Sequence, residues 1–229
     1  MARRPAGGAL PFHTSHTEVE ADLLRRALGP GSTVLEAGCG RTTRLARFRD
    51  RIDRLVGVDL DESGGRTNES LDEFAVADLC GPLPFEDGTF DLVYSNFVVE
   101  HLERPPAAFA EWHRVLRPGG SVVVVTSNRS NPLMAAARVL PQAVRTAIKG
   151  RGPGAVARDV FPARYRANTP GALTAQLERA GFEPVQVVPV GTLHRYAGDR
   201  RLPAATLRNL ERMLPPRLRS TIVAWYRRD

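Results

Sequence analysis

The sequence predicts an α/β fold: a doubly wound, mostly parallel sheet of seven strands with helices on both faces. Three observations carry the prediction. Short β-rich runs alternate with helical ones over most of the 229 residues, and parallel neighbours need such right-handed crossovers. The first strand runs into a glycine turn that opens a helix. Val122 to Val125 is continuously apolar, the pattern of a central strand covered on both faces.

In chain order, Glu18 to Leu28 places Val19, Leu23, Leu24 and Ala27 at helical spacing, and Gly29-Pro30-Gly31 stops that helix. Ser32 to Glu36 is the first strand and ends in Gly38-Cys39-Gly40; a second helix is expected from Thr42 or Thr43, with Leu45, Ala46 and Phe48 inward. Arg54 to Asp59 and Phe74 to Ala77 are the next strands, and Phe90 to Ser95 follows the turn-rich Pro82 to Gly88. A helix over Pro106 to Leu116 closes at Arg117-Pro118-Gly119-Gly120 and feeds the fifth strand. Beyond Thr126 the pattern loosens. Leu133 to Ile148 is amphipathic, Gly150 to Gly154 is a loop, and Pro170 to Ala180 is a helix stopped by Gly181. Val185 to Val190 and Ser220 to Tyr226 are the closing strands, with a helix basic on one face, Ala204 to Met213, between them.

A chain of this length buries roughly 70% of its unfolded surface, so one domain is the expectation. Two cysteines, Cys39 and Cys80, make neither a disulfide framework nor a cysteine-based zinc module, and no metal site is expected. Arg3 and Arg4 precede no apolar stretch of secretory length, and no run approaches the roughly 20 apolar residues of a spanning helix. The expectation is a cytoplasmic protein. The net charge is +7, unevenly spread: residues 1–132 hold 15 Lys+Arg against 19 Asp+Glu, and residues 133–229 hold 17 against 6. Solvated basic faces and a surface for an anionic partner are the two readings of that asymmetry.

The chemistry concentrates in Val34-Leu35-Glu36-Ala37-Gly38-Cys39-Gly40-Arg41-Thr42. Glycines there let backbone approach a ligand, and the helix that follows offers N–H donors. Dinucleotide enzymes use a similar turn, but two residues argue against one: Thr43 stands where the third glycine of that fingerprint falls, and Glu36 puts a carboxylate at the strand tip. An anion repels a pyrophosphate and attracts a ligand carrying an ammonium and a sulfonium. Asp59 ends the second strand 21 residues after Gly38, where a carboxylate can accept from both hydroxyls of a ribose.

On these motifs, with VGVDLDE, VADLCGPLPFEDGTFDLVYSNFVVEHL and RVLRPGG, the chain resembles the class I S-adenosylmethionine-dependent methyltransferases, of the type 11 methyltransferase family. The resemblance covers residues 30–127 and implies a Rossmann-like fold with an antiparallel closing strand. It implies S-adenosyl-L-methionine as cofactor and S-adenosyl-L-homocysteine as product. Glu36, Gly38, Cys39 and Gly40 would line the methionine and ribose portion, Asp59 and Leu60 would lie at the ribose, Asp78 would accept from the adenine amino group beside Leu79, and Ser95 and Asn96 would close the fourth strand's side. The family commonly has a third glycine where this chain has Thr42. Domain organisation follows: an N-terminal helical segment (1–29), the cofactor-binding core (30–127), an inserted helical lid (128–169) and the last part of the sheet (170–229).

Methyl transfer from a sulfonium is an in-line displacement that asks the protein mainly for alignment and desolvation. His101, just after the fourth strand, is the candidate base for an acceptor needing deprotonation; the alternative is a histidine packing the next helix. His13, His16, Tyr94 and His194 are weaker candidates. The fourth strand ends in Ser95-Asn96-Phe97-Val98, not in the Asn/Asp-Pro-Pro-aromatic run common among methyltransferases of exocyclic base amines. Aromatics make up only 7% of the chain, too few for a stacking surface. The expected activity is therefore methylation (EC 2.1.1.-) of a small or amphipathic, lipid-like acceptor, more at oxygen or carbon than at a nucleobase amine. Two rivals are an RNA methyltransferase gripping phosphates with its basic C-terminal half, and a non-catalytic cofactor-binding partner protein. The interleaved apolar and basic residues of 133–151 suit peripheral contact with an anionic membrane or a helix docked on the sheet. No sequence signal sets an oligomeric state.

Overall fold

The computed structural model describes residues 15–139, 161–192 and 204–229. The N-terminal His13, the second half of the expected Leu133–Ile148 helix, the Gly150–Gly154 loop and His194 lie outside them. Seven strands, β1 (Ser32–Ala37), β2 (Ile52–Asp59), β3 (Glu73–Val76), β4 (Phe90–Asn96), β5 (Leu116–Ser127), β6 (Phe182–Val190) and β7 (Thr221–Arg228), form one sheet in the order β3-β2-β1-β4-β5-β7-β6. β1 pairs in parallel with both β2 and β4, and β4 with β5. β7 is antiparallel to both its neighbours, so the antiparallel strand expected at the end of the chain lies inside the sheet and β6 forms its edge. Growth of the sheet in both directions from β1 leaves a crevice between the β1 and β4 tips, where open α/β sheets take ligands.

Alternate residues of the continuous apolar strands serve opposite faces. On β5, Val122 and Val124 join Leu35, Val93, Phe109 and Trp112 on one side, while Val123 and Val125 join Val34, Leu92, Val19 and Leu24 on the other. The first face is covered by α3 (Pro105–Val115) and α5 (Pro170–Arg179); the second by α1 (His16–Ala27) and a 3-10 helix (Leu45–Arg51). α1 opens with a capping box, in which the Ser15 hydroxyl accepts from Glu18 N–H and the Glu18 carboxylate from Ser15 N–H.

Three local features depart from expectation. The helix expected from Thr42 or Thr43 is a 3-10 helix starting at Leu45 and kinked at Phe48. Thr43 holds the chain back, because its hydroxyl accepts from Leu45 N–H at 2.9 Å and bonds Glu36. α2 (Glu62–Arg66), not among the expected helices, contains Gly64 and Gly65. A Cβ at Gly65 would lie 1.9 Å from the Phe74 ring, so that glycine lets the helix seat on β3. Finally, Arg117 to Gly120 belongs to the span of β5 rather than to a separate turn; Gly119 sits at φ 76°, and the β4–β5 register shifts beside it, between Phe90 and Leu92. Past β5, the described part of the expected lid consists of α4 (Pro132–Val139) and the non-helical 161–169. α6 (Ala204–Met213) and a short 3-10 turn (Pro216–Leu218) precede β7.

Candidate active site

The turn after β1 is built on two glycines in left-handed backbone, Gly38 at φ 81° and Gly40 at φ 50°. They do different jobs. A Cβ on Gly38 would lie 2.3 Å from Val98, so the space saved there is filled by the loop after β4. A Cβ on Gly40 would meet nothing within 4 Å, and this glycine faces open space. Asp59 ties β2 to the turn: one carboxylate oxygen accepts from Gly40 N–H at 2.9 Å, the other from Asp61 N–H at 2.9 Å. Asn68, buried, donates its amide to the carbonyls of Cys39 and Gly40. Thr42, at the departure from the family pattern, is exposed.

Glu36 is 3% exposed, and its Oε2 has no partner among the described residues. Burial pushes its carboxyl up to about 8, against the Thr43 hydrogen bond, and the nearby Glu20 and Asp59 charges add to the rise. The Cys39 thiol beside it is pushed up to about 12, mainly by burial, and is correspondingly unreactive. Around the crevice Ser95 Oγ, Asn96 Oδ1 and His101 Nδ1 are likewise buried without a partner among the described residues. Buried polar atoms are normally satisfied, so four orphans at neighbouring strand tips mark a place for a polar ligand. Towards β3, Asp78 is exposed with one oxygen taking Cys80 N–H at 2.9 Å, Leu79 is buried, and Leu60 stands 52% exposed.

Sequence reasoning missed two buried carboxylates. Glu20 of α1 is 1% exposed; it accepts from the Tyr94 hydroxyl and from Arg44 at 3.1 Å. Its signal was present, since position 20 falls on the same helical face as Leu23, Leu24 and Ala27. Tyr94 is thereby corrected: it faces α1, burial and Glu20 raise its hydroxyl well above its ordinary range, and it is no base for an acceptor. Glu100 accepts from the hydroxyls of Thr126 at 2.7 Å and Ser127 at 3.0 Å, and its carbonyl takes the N–H groups of Arg164 and Tyr165 at 2.6 and 3.0 Å. His101, next along, donates its backbone N–H to Val98. His16, at the start of α1, is buried with its ring edge-on to Phe97, 6.0 Å between centroids. Among the described residues no group of three His, Cys, Asp or Glu side chains could hold a metal ion, and no helix is long and apolar enough to cross a membrane.

This strand order, with β7 turned between β5 and β6 and a glycine turn and acidic residue closing β1 and β2, defines a class I methyltransferase fold. Residues 35–124 match the family model described as a methyltransferase domain, of type 11. Over those residues the chain carries a methyltransferase domain, and its relatives and structural neighbours include S-adenosylmethionine-dependent methyltransferases. It is 32% identical over 128 residues to the malonyl-[acyl-carrier protein] O-methyltransferase of Pseudescherichia vulneris, covering 52% of this chain and 51% of that one. It is 34% identical over 113 residues to phosphoethanolamine N-methyltransferase 3 of Arabidopsis thaliana, covering 45% of this chain and 22% of that one. The stretch aligned with the first of these spans about half of that relative's length. Among solved structures, geranyl diphosphate methyltransferase in complex with GPP and sinefungin superposes with a TM-score of 0.64 at 20% identity, over 93% of this chain and 78% of that one.

The residues present fit S-adenosyl-L-methionine, the cofactor that the resemblance implies. Glu36 offers an unsatisfied buried carboxyl to a cationic ligand, Gly40 leaves room beside it, and Asp59, with each carboxylate oxygen keeping a lone pair, faces the same turn.

Proposed function

We propose that this protein transfers a methyl group from S-adenosylmethionine to a small or amphipathic acceptor, at oxygen or carbon rather than at a nucleobase amine. The observation that carries the reading is the orphaned carboxyl of Glu36 at the β1 tip, beside the open Gly40. The cofactor supplies an activated methyl on a sulfonium that leaves as a neutral thioether. Glu36, ionised by an arriving cation, balances the ligand's charge. Asp59 accepts from the ribose, the remaining oxygen of Asp78 from the adenine amino group, and Leu60 and Leu79 give the base an apolar border. Gly38 acts through Val98, seating the β4 loop against the turn. Ser95 and Asn96 turn their free polar atoms to the crevice between the two ligands.

On the acceptor side, His101 is the base: its Nδ1 has no protein partner among the described residues and can take a proton from a hydroxyl. Residues 128–139 and 161–169 frame the acceptor's entrance, held to the β4 loop by Glu100. The acceptors named for the two relatives differ in the atom methylated, oxygen in one and nitrogen in the other, so the acceptor is chosen by this rim rather than by the shared core.

Calorimetric titration tests the reading. Micromolar binding of S-adenosylmethionine and S-adenosylhomocysteine with none of NAD is expected; NAD binding without the other two overturns it. Once an acceptor hydroxyl is in hand, His101→Ala should slow turnover by roughly a hundredfold, with cofactor affinity unchanged. Full turnover returns His101 to a packing role.

A further inference from the structure

The charges along the crevice are sorted by sign. Glu36, Asp59 and Asp78 follow or end β1, β2 and β3. At the other side, three chain segments far apart in sequence are hydrogen-bonded into one rim. Arg129 N–H donates to the Asn168 carbonyl at 2.7 Å, Arg164 N–H donates to the Glu100 carbonyl, and the Asn128 amide donates to the Arg217 and Arg219 carbonyls at 2.9 and 2.7 Å. Asn131 adds a bond to the Leu218 carbonyl at 2.8 Å. This brings Arg129, Arg164, Arg166 and Arg217, all exposed, to one side of the β4, β5 and β7 tips. Among the described residues Glu103 lies 3.8 Å from Arg164; Glu100 is buried and spent on Thr126 and Ser127.

Three of the four rim arginines lack a counter-charge among the described residues, and the fourth, Arg164, has only Glu103 at 3.8 Å. Arg44, Arg49, Arg54, Arg66 and Arg114 each meet a carboxylate within 3.1 Å. Arg129, Arg166 and Arg217 meet none among the described residues. Exposed arginines gathered from three segments suit a phosphate or carboxylate, which guanidinium groups can hold in fork geometry.

We infer that Arg129, Arg164, Arg166 and Arg217 form a collar that receives an anionic group, a phosphate or carboxylate, carried by the methyl acceptor. The inference rests on the methyltransferase reading only in making the ligand an acceptor; the collar itself is tested without turnover. Acids on one side would hold the cationic cofactor, arginines on the other the anionic end of the acceptor, and the methyl passes between them.

The probe is octyl phosphate, with octanol as its neutral control, titrated into the protein with and without S-adenosylhomocysteine. Octyl phosphate should bind and octanol should not. Replacing three collar residues together (Arg129→Gln, Arg166→Gln, Arg217→Gln) should weaken octyl phosphate at least about tenfold, while lysine at the same positions restores part of the affinity and S-adenosylhomocysteine binds within about twofold of the parent. Vesicles of phosphatidylglycerol and of phosphatidylcholine separate the two sources of the anion. No preference between them assigns it to a soluble acceptor; a phosphatidylglycerol preference lost in the triple variant assigns it to a lipid headgroup. Both support the collar. Equal affinity of parent and triple variant, equal binding of octanol, or binding of a short RNA without octyl phosphate would overturn it. Failure of S-adenosylhomocysteine alone to bind would count against the cofactor reading and leave the collar standing.

Discussion

The two sides of the crevice leave opposite kinds of group unsatisfied. At the β1–β3 tips the charged group left over is a buried carboxyl, Glu36. At the β5 and β7 tips the buried carboxylate is spent, with Glu100 taking Thr126 and Ser127 and Asn168 donating to Thr126 at 2.6 Å, and the charged groups left over are exposed cations. A desolvated anion selects one charged ligand at short range. Exposed guanidinium groups accept many anions and lose strength with salt. The first arrangement suits a cofactor shared by a family; the second suits an acceptor that varies from member to member.

The comparison breaks most visibly at Glu100. Glu100→Ala should destabilise the fold by about 3 kcal/mol, because two buried hydroxyls lose their acceptor; urea unfolding measures this. Amide exchange at Arg164 and Tyr165 should quicken while the glycine turn stays protected, and equal loosening on both sides would remove the distinction. Asp59→Ala acts on the other side. It should weaken S-adenosylhomocysteine binding by about 1.5 to 3 kcal/mol, the range for hydrogen bonds to a charged group, and an unchanged calorimetric affinity would withdraw the ribose assignment. Smallest is Arg54→Ala, whose partner Glu73 is about half exposed. Less than about 1 kcal/mol of stability should be lost, with neither ligand affected.

How far the sequence revealed each side follows from the range of its contacts. The glycine turn, Glu36 and Asp59 are local to two adjacent strands, and their order along the chain carries their geometry. The helix expected from Thr42 or Thr43 starts only at Leu45, because the Thr43 hydroxyl is shared between Leu45 N–H and Glu36. α2 was hidden by Gly64 and Gly65; the reason for Gly65 is Phe74, nine residues further on, and Gly64 clears the Asp61 cap. The collar was least legible. Asn128 reaches 89 and 91 residues along the chain to Arg217 and Arg219, and Asn168 reaches back 42 to Thr126. The sequence showed the excess of arginine after residue 133, but only the folded amides bring particular arginines together. At Gly38 the pattern was right and its reason different, the saved space being occupied by Val98 rather than by a ligand.

The central claim is that the buried carboxyl of Glu36 meets a cationic cofactor. In the free protein, burial holds this group up to about 8, above its ordinary 4.5. The folded state therefore keeps a proton that the unfolded chain releases, and the free protein loses stability as pH rises from near 4.5 through 8. A bound cation favours the ionised form, so binding at neutral pH expels that proton, and affinity climbs towards about pH 8 and then levels. The direct measurement is calorimetric titration with S-adenosylmethionine from about pH 6 to about pH 9, in buffers of different ionisation enthalpy, on the parent and on Glu36→Gln. The account predicts proton release near neutrality by the parent, and weaker binding with clearly less proton release by the variant, whose remaining pH dependence is that of the ligand's own ammonium. Equal affinity and equal proton exchange in the two proteins would contradict it.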